Sequence, residues 1–232
     1  MPMICDQLKA IRQQISDAEH TYNRIEHSVQ LLAVSKTKPT SAILEAYECG
    51  QRAFGENYAQ ELLEKAEALK NLDIEWHYIG PLQSNKTKII AEHADWMHSI
   101  DREKIARRIS EQRSSELPPL NICLQVNISG EESKSGVSPD ELSALAQAVS
   151  NLPNLRLRGV MALPAPSPDM AEQRAAFARV RNLFETLKAE GLDVDTLSMG
   201  MTGDLEAAVA EGSTMVRIGT AIFGARDYPR RD

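Results

Sequence analysis

Apolar positions recur at two different spacings along this chain. Near the start, Ile4, Leu8, Ile11, Ile15, Ala18 and Tyr22 fall every three or four places, which is one face of an amphipathic helix that must cover something else. From residue 31 the spacing changes. The run LLAVS predicts a short buried strand, and TSAILEAYECG behind it predicts a helix opened by Thr40 or Ser41 and stopped by Gly50. That pairing then repeats. RAFG, IEWHYIG, DWMHSI, LNICLQVNI, LRLRGVMAL, TLSMG and TMVRIG predict strands. NYAQELLEKAEALKNL, SNKTKIIAEHA, DREKIARRISEQ, SPDELSALAQAVSNL, DMAEQRAAFARVRNLFETLKAEG and DLEAAVAEG predict the helices between them. The fullest start signal is Ser138 as cap, Pro139 in the first turn and Glu141 three residues after the serine.

Strands alternating with helices imply a parallel sheet, because parallel neighbours need a crossover. Eight such repeats imply closure into a single α/β barrel of the (β/α)8 TIM type over 30–225, with an additional N-terminal helix within 1–25 and one domain over 1–232. A doubly wound open sheet is the competitor, but no G-x-G-x-x-G follows the first strand. The proline-rich LPAPSPD reads as one strand-to-helix loop. A net charge of −7 removes broad attraction to nucleic acid or an anionic membrane. Three cysteines without C-x-x-C spacing imply no disulfide framework and no zinc site, and the histidines lack metal-ligand spacing. With no long apolar segment and no signal peptide, the expected location is the cytoplasm. The N-terminal helix is expected to cover the barrel rather than join two barrels, so a monomer is expected.

Active groups of such barrels gather where the strands end. Two features lie there. Small residues crowd SMGMTGD and RIGTAIFG after the last two strands, and they offer either a phosphate cradle of loop amides or tight turns with a helix cap at Thr202. Asp204 opposes an anion there. The second feature is Lys36 in LLAVSKTKPT. Enclosure lowers a lysine's pKa and frees its amine to attack a carbonyl, whereas an exposed lysine at a strand end would merely be solvated. Lys38 is expected to point to solvent. Arg217, two residues before Gly219, should face the barrel interior, either toward a ring nitrogen or paired with an acid such as Glu56. An amine beside an anion site suits a phosphorylated carbonyl ligand, either pyridoxal phosphate or the phosphosugar of a Schiff-base aldolase.

LLAVSKTKP, FGENYAQE, WHYIGPLQSNK, SKSG and LSMGMTGDLEAAVAEGSTMVRIGTAIFGAR together resemble the pyridoxal phosphate homeostasis protein family, over nearly the whole chain and in order. The resemblance implies a barrel similar to the N-terminal domain of alanine racemase, with pyridoxal 5'-phosphate (PLP) held by Lys36 as a Schiff base. It implies that Thr202, Gly219 and Thr220 hold the phosphate, that Arg217 faces the pyridine nitrogen, and that Asn57 and Met161 line the ring pocket. Ser198 joins this cofactor-binding set, and Lys134 of SKSG matches a family lysine. A racemase needs a second base, a tyrosine from a separate β-domain, and only eight residues follow Gly224. Tyr228 lies in the tail, and Tyr58 and Tyr78 occupy positions expected for packing. The implied role is therefore capture, protection and delivery of the cofactor to apo-enzymes, with no robust catalytic activity. A weak PLP-dependent amino-acid racemase is the alternative.

Overall fold

Eight short strands run parallel and close on one another in sequence order: β1 (Gln30–Val34), β2 (Ala53–Glu56), β3 (Glu75–Tyr78), β4 (Trp96–Ile100), β5 (Leu120–Val126), β6 (Leu155–Ala162), β7 (Thr196–Ser198) and β8 (Met215–Ile218). The computed structural model describes residues 3–129 and 135–225. The barrel shuts where β8 pairs with β1, with Leu32 opposite Arg217. Between the strands lie α2 (Thr40–Glu48), α3 (Ala59–Ala68), α4 (Thr87–His93), α5 (Glu103–Gln112), α6 (Leu142–Ser150), α7 (Met170–Ala189) and α8 (Leu205–Ala210), and α9 (Thr220–Phe223) follows β8. This is the TIM-type α/β architecture that the alternation predicts. Among the described residues no helix is long and apolar enough to cross a membrane, and no cluster of His, Cys, Asp and Glu is placed to hold a metal ion.

Strand alternation divides the apolar residues into two clusters. Leu31, Ala33, Phe54, Met97, Ile122, Val160 and Val216 face the helices and belong to the large outer cluster. Their neighbours Leu32, Ala53, Trp96, Cys123, Met161 and Met215 form a smaller cluster inside the barrel. Gly159 belongs to the inner series. Its φ is +155°, and a Cβ there would collide with the Thr196 carbonyl oxygen of the neighbouring strand. Gly159→Ala is expected to cost about 3 kcal/mol, through steric conflict in β6 and an unfavourable backbone angle. Urea unfolding of the two proteins would measure it.

The remaining helix, α1 (Ile4–Thr21), completes the outer layer. With only four residues, α9 is too short to cover its share of the barrel. Instead α1 packs on α2, α8 and α9 and buries Leu8, Ile11, Ile15 and Ala18, the stripe its periodicity marks. Glu19 ends that stripe. Its buried carboxylate accepts from the amides of His27 (3.1 Å) and Val29 (2.8 Å), fixing the turn into β1.

Two sequence expectations are corrected. Cys5 of α1 and Cys49 at the end of α2 form a disulfide, with Cα atoms 5.4 Å apart. They are 44 residues apart in sequence, so only the packing of α1 on α2 brings them together. Cys123 is free and buried, and burial pushes its thiol up to about 12. The start of α6 also differs. Pro139–Glu141 forms a 3-10 turn, and the Ser138 hydroxyl donates to Glu141 Oε2 at 2.6 Å instead of capping an amide. The fixed φ of Pro139 suits that tighter turn.

Candidate functional site

Lys36 leaves the end of β1 half-buried, with the interior-facing parity of Leu32 and Val34. The backbone on either side of it is clamped from α3. Lys65 Nζ donates to the Ser35 carbonyl oxygen (2.9 Å), to Glu56 Oε1 (2.8 Å) and to Glu61 Oε2 (3.0 Å). Glu61 Oε2 in turn accepts the Thr37 amide at 2.8 Å, and Ser35 Oγ donates to Glu56 Oε1 at 2.5 Å. Thr37 adopts a left-handed backbone, φ +62°, which costs a non-glycine residue energy and is held here by that contact. Burial pushes the Glu56 carboxyl up to about 7 despite the Lys65 ammonium beside it. Lys38 takes another direction. Its Nζ donates to the Ala225 carbonyl oxygen at 2.6 Å, at the opposite end of the chain.

Arg217 lies across the β1–β8 seam, 4% exposed. It does not pair with Glu56, which faces outward to α3. Its Nη1 donates to Ser198 Oγ at 2.7 Å and its Nη2 to the Ala162 carbonyl oxygen at 3.0 Å. Burial lowers the guanidinium to about 10, so it stays a cation at neutral pH. Gly219 follows on the same face. A Cβ there would come within 3.3 Å of Val34 Cβ, so the absence of a side chain keeps the seam below Lys36 open.

The structure therefore brings Lys36, Asn57, Ser198, Arg217 and Gly219 onto the interior-facing positions of β1, β2, β7 and β8 or the loops that follow them. Thr220 opens α9 beside them, and Thr202 stands in the loop after β7; both are exposed. Asp204 does not confront an anion freely, because its Oδ1 accepts the Met201 amide at 2.6 Å and closes that loop. Met161 lies deeper, 1% exposed within the inner cluster, where it supports the floor. Tyr78 is buried and donates to the Pro81 carbonyl oxygen at 2.8 Å, but Tyr58 is 56% exposed at the rim and does not pack as its position suggested. Tyr58 directly precedes α3, so its side chain falls beyond the helix's buried stripe. Lys134 and Tyr228 lie outside the described residues.

These residues suit PLP. A cavity of about 380 Å³ opens at the mouth, lined by Asn57, Ile79, Gln125, Asn127, Leu163 and Met201. Asn57 Oδ1 is buried there with no hydrogen-bond partner, an acceptor that the fold leaves for something else. The donor set is an amine, a hydroxyl-bearing helix start and a buried guanidinium, which matches an aldehyde, a phosphate and a neutral ring nitrogen. Sequence reasoning missed the Lys65–Glu56–Glu61 clamp. Its signals were the i,i+4 pair Glu61 and Lys65 and a lysine falling on the buried stripe of α3 beside Leu62.

The profile of the alanine racemase N-terminal domain family matches residues 7–227. A pyridoxal phosphate homeostasis protein from Pseudomonas aeruginosa is 58% identical over 228 residues, covering 98% of this chain and 98% of its own. The structure of PipY from Synechococcus elongatus PCC7942 with PLP bound superposes with a TM-score of 0.83 at 39% identity, over 95% of this chain and 100% of the other. Alanine racemase from Corynebacterium glutamicum, at 17% identity and a TM-score of 0.67, covers 97% of this chain with 63% of its own and shares the fold.

Proposed function

We propose, from the premise that this chain belongs to the alanine racemase N-terminal domain family and within it to the pyridoxal phosphate homeostasis proteins, that it binds PLP at the barrel mouth and serves cofactor homeostasis. What carries this reading is the convergence, at the adjoining ends of β1 and β8, of the Lys36 amine, the Gly219–Thr220 helix start and the buried Arg217. When bound, the cofactor supplies an electrophilic aldehyde that condenses reversibly with an amine.

The chain's own residues do the rest. Lys36 Nζ is the amine, presented by a loop that Lys65 and Glu61 hold from outside the barrel. Thr202, Gly219 and Thr220 offer hydroxyl and amide donors to the phosphate. Asn57 borders the ring. Arg217, a cation at neutral pH, would donate to the ring nitrogen and disfavour its protonation, which would weaken the ring as an electron sink. Tyr78 offers no second base, since burial raises its hydroxyl to about 12 and Pro81 holds its proton. Holding rather than turnover fits this set: a cytoplasmic monomer that keeps a reactive aldehyde from stray amines and releases it to apo-enzymes.

The absorbance spectrum of the purified protein, before and after borohydride, tests the reading. PLP is expected to give a visible band that borohydride removes while fixing the cofactor to a peptide containing Lys36. A spectrum with no such band after addition of PLP would overturn it.

A further inference from the structure

Inside the barrel, side chains of β3, β4, β7 and β8 form one unbroken line of which the capture reading uses only the Arg217 end. Glu75 stands at its outer end with 41% of its side chain exposed, and its Oε1 lies 2.8 Å from His77 Nε2. His77 Nδ1 lies 2.8 Å from His98 Nε2, and His98 Nδ1 lies 2.7 Å from Ser198 Oγ. Arg217 Nη1 reaches that same hydroxyl. His77, His98 and Ser198 have no exposed surface.

The protons in this line can be assigned from both ends. A guanidinium only donates, so Ser198 Oγ accepts from Arg217 and its single proton goes to His98 Nδ1. An ionised carboxylate only accepts, so His77 donates from Nε2 to Glu75. Neutral His77 then accepts at Nδ1, which makes His98 Nε2 the donor and leaves His98 Nδ1 bare. That bare nitrogen is the one facing Ser198. The two assignments meet without conflict: both imidazoles are neutral, both carry their proton on Nε2, and every donor points from Arg217 toward Glu75. A second proton on His98 would face the Ser198 oxygen and strand the hydroxyl proton. Burial first, with the Arg217 charge beside it, holds His98 well below its ordinary pKa. The His77 hydrogen bond, opposed by burial, holds Glu75 at about 2, so the terminal acceptor stays ionised.

We infer that His98 and Ser198, backed by His77 and Glu75, are positioning residues that fix the Arg217 guanidinium and so select a ligand whose ring nitrogen is an unprotonated acceptor. The inference rests on the PLP-binding reading and concerns the ring end of that site. One N–H of Nη1 is committed to Ser198 and one of Nη2 to Ala162, which leaves the guanidinium no free rotation and its other protons for the ligand. Because the line only accepts from Arg217, it offers nothing that would reverse the donor direction at the ring.

Two measurements test this. In the protein without added cofactor, long-range proton–nitrogen spectra at neutral pH should show His77 and His98 as neutral Nε2–H tautomers. An Nδ1–H tautomer at either position reverses the line and overturns the inference. Second, His98→Phe keeps a ring against Trp96, 5.8 Å away between centroids, but breaks the line. It should weaken PLP binding roughly tenfold and shift the visible band, since the Ser198 hydroxyl loses the acceptor of its proton and holds Arg217 less firmly. His98→Gln, whose amide both donates and accepts, should recover most of both. Binding by His98→Phe within twofold of wild type, or equal loss in both variants, would reduce the line to packing. If His98→Phe does not fold, the tautomers decide. Borohydride attachment at Lys36 with reversed tautomers would sink this inference alone, whereas loss of attachment would sink the reading beneath it.

Discussion

Replacing Lys36 with alanine is expected to abolish the visible absorbance band and the borohydride-stable attachment of PLP, while leaving the fold intact. The fold should survive because the loop is held by its backbone. Ser35 gives its carbonyl to Lys65 and Thr37 gives its amide to Glu61, and neither contact uses the Lys36 side chain. Neither neighbouring lysine can take over. Lys38 is drawn to the Ala225 carbonyl, away from the interior parity. Lys65 has 8% of its side chain exposed and is engaged by three acceptors on the far side of the strand. The affinity that remains is that of phosphate and ring contacts alone, a drop on the order of 100-fold or more, equivalent to about 2.7 kcal/mol. An unchanged band in Lys36→Ala would place the amine elsewhere and sink the assignment.

Lys65→Met is expected to produce the largest loss of stability, about 3–5 kcal/mol, because it leaves a buried carboxylate without its cation. Glu56 has no exposed surface and its Oε2 has no hydrogen-bond partner even in the intact cluster. Urea denaturation would show it as a lower midpoint with an unchanged slope. The double variant Lys65→Met, Glu56→Leu should recover much of the loss, since a packed apolar pair carries no desolvation penalty. If the double variant is no better than Lys65→Met, the cost lies in the Ser35 and Thr37 contacts and not in the stranded charge. In either case the single variant should also weaken PLP attachment, because the carbonyl before Lys36 loses its donor.

Much of this architecture was legible because it depends on local spacing. Strand runs such as LNICLQVNI and helices such as α5 announce themselves within ten residues, and eight alternations leave few ways to bury both faces of the strands. Lys36, Arg217 and Gly219 were legible for the same reason, since parity along two short strands places all three inside. What escaped notice depends on pairs between different elements. His98 and Ser198, 100 residues apart, and Cys5 and Cys49, 44 apart, meet only once distant elements pack, whereas the Glu56–Lys65 pair, nine residues apart, joins a strand to the helix after it and shows in neither element's own periodicity. The same parity rule would have found the histidines: His77, His98, Ser198 and Arg217 all occupy inward positions. Tyr58 was misjudged because a residue just before a helix carries no periodicity to place it.

The seam between β1 and β8 sets a schedule as well as a shape. Lys36 and its clamp are synthesised early, but Arg217, Gly219 and Thr220 lie within the last two dozen residues, as does the strand that completes the barrel. α1 completes its bed only when α8 and α9 exist. Under the proposed reading, a chain in which β8 has not yet formed holds Lys36 without Arg217, Gly219 and Thr220 beside it, and such long-range closure is slow to form. On that reading, cofactor binding therefore reports barrel closure: only a chain in which β8 has paired with β1 presents the whole residue set.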